Sequence, residues 1–179
     1  MADDGAATVA RDARGLTYPF DGVPAPGEAV EVARGVLWLR FALPFQLDHV
    51  NVYALRDGEG WVVIDTGLRT PDAITAWEAA LAGPLEGRPI TRLICTHMHP
   101  DHIGLAGWLY ERSGAPLWMS QLEYVTARML MTEQAGDAPE DGARFFRAAG
   151  WTEDQIEKWR ADYGGFAKGV APMPRSYRR

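Results

Sequence analysis

The sequence predicts an α+β chain, and three observations carry that expectation. Residues 29–67 are rich in β-branched and aromatic side chains, in short runs broken by glycine. An apolar run at 90–96 leads directly into a cluster of histidines. After Ser120 the pattern changes, and three helical stretches follow one another. The chain has 179 residues, enough for one domain with a real core.

Residues 1–27, rich in Ala, Asp, Gly and Pro, are expected to form a flexible arm. "AVEVARGVLWLRFAL" (29–43), broken near Gly35, predicts a hairpin. "VNVYALRDGEGWVVIDTG" (50–67) predicts a second, turning at Asp57–Gly60. Thr70-Pro71 supplies an N-cap and a proline at the first helical position, with apolar residues at helical spacing up to Gly83. "ITRLICT" (90–96) is the buried-strand candidate. A helix is expected from about Asp101 to Arg112, stopped by Gly114, and "PLWMS" (116–120) should be a short strand. "SQLEYVTARMLMTEQA", "PEDGARFFRAAG" and "TEDQIEKWRADYGG" predict three helices, with Ser120/Glu123 and Thr152/Gln155 as capping-box pairs. The end, "GVAPMPRSYRR", offers no closing helix or strand.

Composition excludes several roles. Hydrophobic residues make up 47% and charged residues 23%, the balance of an ordinary soluble protein. Net charge is -6, and the cations are scattered apart from Arg175, Arg178 and Arg179, so no nucleic-acid partner is expected. No apolar run approaches the roughly 20 residues of a membrane helix, and the start carries no apolar secretory core. The single cysteine, Cys95, rules out an intrachain disulfide framework. A cytoplasmic location is the expectation.

The informative stretch is "THMHPDHIGLAGW" (96–108), which holds three of the four histidines. In an extended chain residues i and i+2 point to the same side, so His97 and His99 can address one ion. Pro100 ends the extension, and Asp101 and His102 then face another direction. Four donors on so short a stretch suit two half-sites better than one tetrahedral shell. Two metals about 3.5–4 Å apart can activate a water and polarise a substrate oxygen. Imidazole and carboxylate suit zinc, with iron or manganese as alternatives.

The pattern His97-x-His99-x-Asp101-His102 resembles the His-x-His-x-Asp-His hallmark of the metallo-β-lactamase-fold hydrolases. "NVYAL" followed by "GWVVIDTG" resembles the opening strands of that family, over roughly residues 29–119. The resemblance implies an αββα sandwich. Of it, 28–119 would be the N-terminal half with the metal motif, 120–168 a helical insertion or lid, and 169–179 a truncated loop. It also implies a zinc-dependent hydrolase with two Zn2+ per complete site. A metal-activated water would attack an ester, thioester or lactone-type bond of a small-molecule substrate, and Asp101 would be a ligand that also orients the water. Asp65 would lie beneath the metals and support the ligand loop. Ile103-Gly104-Leu105 stands where many relatives carry Gly-Gly, a change that touches no ligand. "IDTG" is also similar to the aspartic-protease loop, but that would need a dyad and leaves the histidines unexplained.

The same resemblance implies further ligands downstream, yet no histidine follows His102. The expectation is therefore a truncated, poorly active form that binds metal weakly. The alternative is a non-enzymatic metal-binding half-domain completed by a partner chain. A homodimer through exposed apolar surface or the helical insertion fits either. His49 is expected at the surface, with the pocket mouth as the alternative, and Asn51 in a loop or bonded to backbone near the site. Cys95 should be a buried small hydrophobe, and Trp108 should pack its helix on the sheet. Tyr124, Met129, Met131, Phe145, Phe146 and Trp159 suit a helical core first, then a lid, then an interaction surface.

Overall fold

The structure, a computed structural model, describes residues 15, 17, 19, 20 and 22–179. Most of the expected N-terminal arm lies outside those residues. Among the described residues six strands form one sheet in chain order: β1 (Val30–Ala33), β2 (Val36–Ala42), β3 (His49–Asp57), β4 (Gly60–Ile64), β5 (Ile90–Ile94) and β6 (Leu117–Trp118). The first four pair antiparallel as two hairpins, and β4, β5 and β6 run parallel. Gly35, at φ 74°, turns the first hairpin, a backbone region that costs glycine little.

Parallel neighbours need crossovers, and helices supply them. Between β4 and β5 runs α1 (Pro71–Ala82), whose N-cap Thr70 accepts a hydrogen bond from the Ala73 amide. Between β5 and β6 run α2 (Pro100–Ile103) and α3 (Ala106–Ser113). Strand alternation puts Leu39, Phe41, Val52, Ala54, Val63 and Leu93 into the core. Trp77 of α1 closes over them, stacked on Phe41 at 5.1 Å, and its indole N–H donates to Thr66 O at 2.8 Å. On the opposite face Trp38, Tyr53, Leu55 and Ile64 are only partly covered.

The expected single helix over 101–112 is two pieces. His102 O accepts from the Thr66 amide (2.7 Å) and hydroxyl (2.9 Å). The Leu105 amide donates to Thr66 Oγ1, and Gly104 O accepts from the Ala171 amide. Those groups would have continued a helical ladder; diverted, they leave a break at Gly104–Leu105. Gly114, at φ 68°, stops α3 where the sequence placed the stop.

The C-terminal half holds α4 (Gln121–Glu133), α5 (Glu140–Ala148), α6 (Glu153–Asp162) and a short α7 (Gly165–Gly169) that the sequence pattern did not announce. The six aromatic and Met residues expected as one core divide. Tyr124 is buried, Met131 packs on the main core, and Phe145 and Met129 are exposed. Phe146 stacks on Trp151 and meets Trp159 edge-on, a separate aromatic cluster between α5 and α6. The end holds no helix or named strand after α7, yet it is packed. Val170 and Met173 are buried, the Tyr124 hydroxyl donates to Pro174 O, and Arg178 pairs in parallel with Trp118 beside β6.

Gly104 is where these parts press together. A Cβ there would come closer than 3.0 Å to Pro100 O, Gly67 O and Arg69 N, all backbone atoms that cannot rotate away. Gly104→Ala should therefore cost about 1–3 kcal/mol of stability or more. Urea unfolding measures it, and a variant as stable as the parent would contradict the close approach.

Candidate metal centre

The four motif residues lie just beyond the C-terminal end of β5, with His99 serving as the N-cap of α2. The structure brings them together in two pairs. His97 Nε2 and His99 Nδ1 are 3.0 Å apart. His102 Nε2 and Asp101 Oδ2 are 3.3 Å apart. The rings of His97 and His102, 4.1 Å between centroids, bring the pairs side by side. Among the described residues, no three His, Cys, Asp or Glu side chains stand at the spacing of a single ion.

Asp65 lies beneath, 6% exposed, at the end of β4 with φ 62°. A left-handed aspartate is uncommon and is held here by surrounding bonds. Its amide donates to Ile94 O at 2.8 Å. Its carboxylate accepts from the Thr96 amide (2.8 Å), the Thr96 hydroxyl (2.9 Å) and His102 Nδ1 (2.8 Å).

This network assigns the ring protons. A carboxylate only accepts, so His102 carries hydrogen on Nδ1. Thr96 gives its one hydroxyl proton to Asp65, so its oxygen accepts from His97 Nδ1, 3.0 Å away. Both rings thus turn Nε2 toward their pair partner. Lone pair would face lone pair between His102 Nε2 and Asp101 unless a second proton or a cation stood there. Two nitrogens, or a nitrogen and a carboxylate oxygen, bound at about 2.0–2.2 Å to one tetrahedral zinc lie roughly 3.3–3.5 Å apart, close to the observed spacings of 3.0 and 3.3 Å. The donor chemistry therefore fits a divalent metal.

Without a metal, protons answer the same demand. The Asp65 hydrogen bond, with the charges of Asp65 and Asp101, holds His102 above the ordinary imidazole value, and burial opposes this. Burial and the neighbouring His102 and His99 hold His97 below it.

The remaining residues fall outside the cluster. His49 bonds instead with Arg40 Nη2 (2.7 Å) and Asp48. Asn51 lies within β3 rather than in a loop and accepts from the Trp38 indole at 2.8 Å. Cys95 is buried at 2% exposure, and burial pushes its thiol well up, as befits a small hydrophobe. Trp108 is partly buried against the core, with the Arg112 guanidinium 4.7 Å over its ring. Two residues that sequence reasoning left out of the site belong to it. Thr96 joins His97 to Asp65, its one signal being adjacency to the cluster. Glu123, seen as a helix cap, places its carboxylate 2.7 Å from the Met98 amide. A cavity of about 340 Å³ between β2 and α1, lined by Arg40, Phe41 and Asp72, includes none of the cluster.

A family model described as the metallo-beta-lactamase superfamily matches residues 46–174. Among solved structures, a beta-lactamase domain protein from Burkholderia ambifaria is 38% identical with a TM-score of 0.77, over 90% of this chain and 47% of that one. A metallo-beta-lactamase family protein from Thermus thermophilus is 28% identical with a TM-score of 0.63, over 83% and 46% respectively. The chain thus spans about half the length of these relatives. No curated protein matches it.

A pH prediction follows from His102. Its value is raised in the folded state, so its contribution to stability is fully present below the ordinary 6.5 and lost as pH rises through the raised value. In metal-free protein the stability difference between parent and His102→Gln should be largest below pH 6.5 and shrink above it. Denaturant unfolding across that range checks this, and a gap that widens with rising pH would refute the pairing with Asp65.

Proposed function

The chain belongs to the metallo-beta-lactamase superfamily, and on that premise we propose that it carries metal-holding residues of a zinc-dependent hydrolase. His97 and His99 hold one ion; Asp101 and His102 hold the second. When bound, zinc supplies a Lewis acid and a water of lowered pKa, with iron or manganese as alternative metals. The observation that carries this reading is the pairing of donors over one buried carboxylate.

The roles of the chain's own residues follow from that geometry. Asp65 fixes the His102 ring directly and the His97 ring through Thr96, so both Nε2 atoms are aimed before any ligand arrives. Asp101 places one oxygen opposite His102 and has the other to accept a hydrogen bond from the attacking water, orienting it. The bond cleaved is an ester, thioester or lactone in a small molecule. The net charge of -6 and the scattering of most cations along the sequence disfavour a nucleic-acid substrate.

Each pair offers two donors, whereas zinc sites take three or four from protein. That shortfall supports a second reading, a non-enzymatic metal-binding half-domain completed by a second copy or another chain. Native mass measurement with and without zinc separates the two. A zinc-loaded dimer without turnover supports the second.

Titration with zinc should bring up to two equivalents onto the chain, and Asp65→Ala should weaken binding about 10–100-fold. Competition with a chromophoric chelator reads the affinity, and a panel of thioesters and lactones reads turnover. Zinc binding unaffected by replacing His97 and His102 together would remove the basis of both readings.

A further inference from the structure

The two predicted capping boxes come out differently. At α6 the exchange is complete: Thr152 Oγ1 accepts from the Gln155 amide, and Gln155 Oε1 accepts from the Thr152 amide at 2.9 Å. At α4 only half is made. Ser120 Oγ accepts from the Glu123 amide at 3.3 Å, but the Glu123 carboxylate does not return to Ser120. It crosses to a residue 25 positions away and accepts from the Met98 amide at 2.7 Å. Met98 lies between His97 and His99.

We propose that Glu123 is a positioning residue that clamps the loop between His97 and His99, so that the first turn of α4 sets the spacing of that imidazole pair. The Met98 amide is the backbone midpoint from which both rings hang. Holding it fixes the two rings against each other, at the observed 3.0 Å between Nε2 and Nδ1. The clamp also has a firm base. Beside Glu123, Tyr124 is 8% exposed, stacks on Tyr177 at 4.1 Å and donates its hydroxyl to Pro174 O. One turn on, Ala127 is fully buried. Helix α4 is thus anchored where its carboxylate leaves it, and a shift of α4 would move the histidine loop.

The clamp rests on the metal-holding reading for its purpose, but not for its existence. Two substitutions in the 179-residue chain separate reach from charge. Glu123→Gln keeps the length and an acceptor oxygen but loses the charge. Glu123→Asp keeps the charge at the helix start but is one methylene short of Met98. Hydrogen exchange at the Met98 amide, read by NMR without metal, should quicken at least tenfold in Glu123→Asp and little in Glu123→Gln. Zinc affinity by chelator competition should fall about tenfold in Glu123→Asp and be largely kept in Glu123→Gln. Ser120→Ala, which removes the helix cap alone, should leave Met98 exchange unchanged. Unaltered Met98 exchange in Glu123→Asp, or the opposite order of the two variants, would overturn the clamp. If the parent chain binds no zinc, the metal-holding reading fails, and Met98 exchange still decides the clamp.

Discussion

The site end of this molecule depends on one buried carboxylate. A carboxylate taken out of water costs several kcal/mol unless its oxygens are satisfied. Asp65 is satisfied by an amide, a hydroxyl and an imidazole, all from the segment following β5. The requirement works in both directions. The carboxylate needs those donors, and each donor is fixed in place by serving it. The left-handed backbone at Asp65 turns the chain so that its amide still meets Ile94 while its side chain faces the histidines.

Sheet topology explains why these parts meet. The pairing changes from antiparallel between β3 and β4 to parallel between β4 and β5. Parallel strands end at the same side, so the loops after β4 and β5 emerge together. Crevices at the C-terminal ends of such strands are where open sheets place their chemistry. Thr66 ties the two loops further, accepting from the Leu105 amide and donating its hydroxyl to His102 O. The break between α2 and α3 is therefore part of the same fastening, since the groups that leave the helical ladder are those that bind Thr66 and Ala171.

What was legible in the sequence was local. Hairpins, the Thr70 cap with Pro71, the Gly114 stop and the spacing of the four motif residues all depend on neighbours in the chain. What escaped depends on partners far along it. Thr66 and Leu105 are 39 positions apart, and Met98 and Glu123 are 25 apart. Glu123 shows the limit well. Its place three residues after Ser120 predicts a cap, and its amide does take part in one, yet the carboxylate finds a more distant donor. The break at Gly104 was hidden for the same reason, because helical period says nothing about a threonine in another loop. The C-terminal segment lacks any period, and its packing rests on distant partners: the Ala171 amide on Gly104 O, the Tyr124 hydroxyl on Pro174 O, and Arg178 beside Trp118.

Cys95 stands one residue before this network, buried just past the end of β5 and paired by its amide to Trp118 O. It is the only thiol in the chain. A buried, protonated thiol does not react with alkylating reagents. Labelling therefore requires this end of β5 to part from its neighbours, so the rate of modification counts the local openings of the strand that leads into the histidines. The protein holds a native clock for the breathing of its own site, with no competing cysteine to confuse the signal.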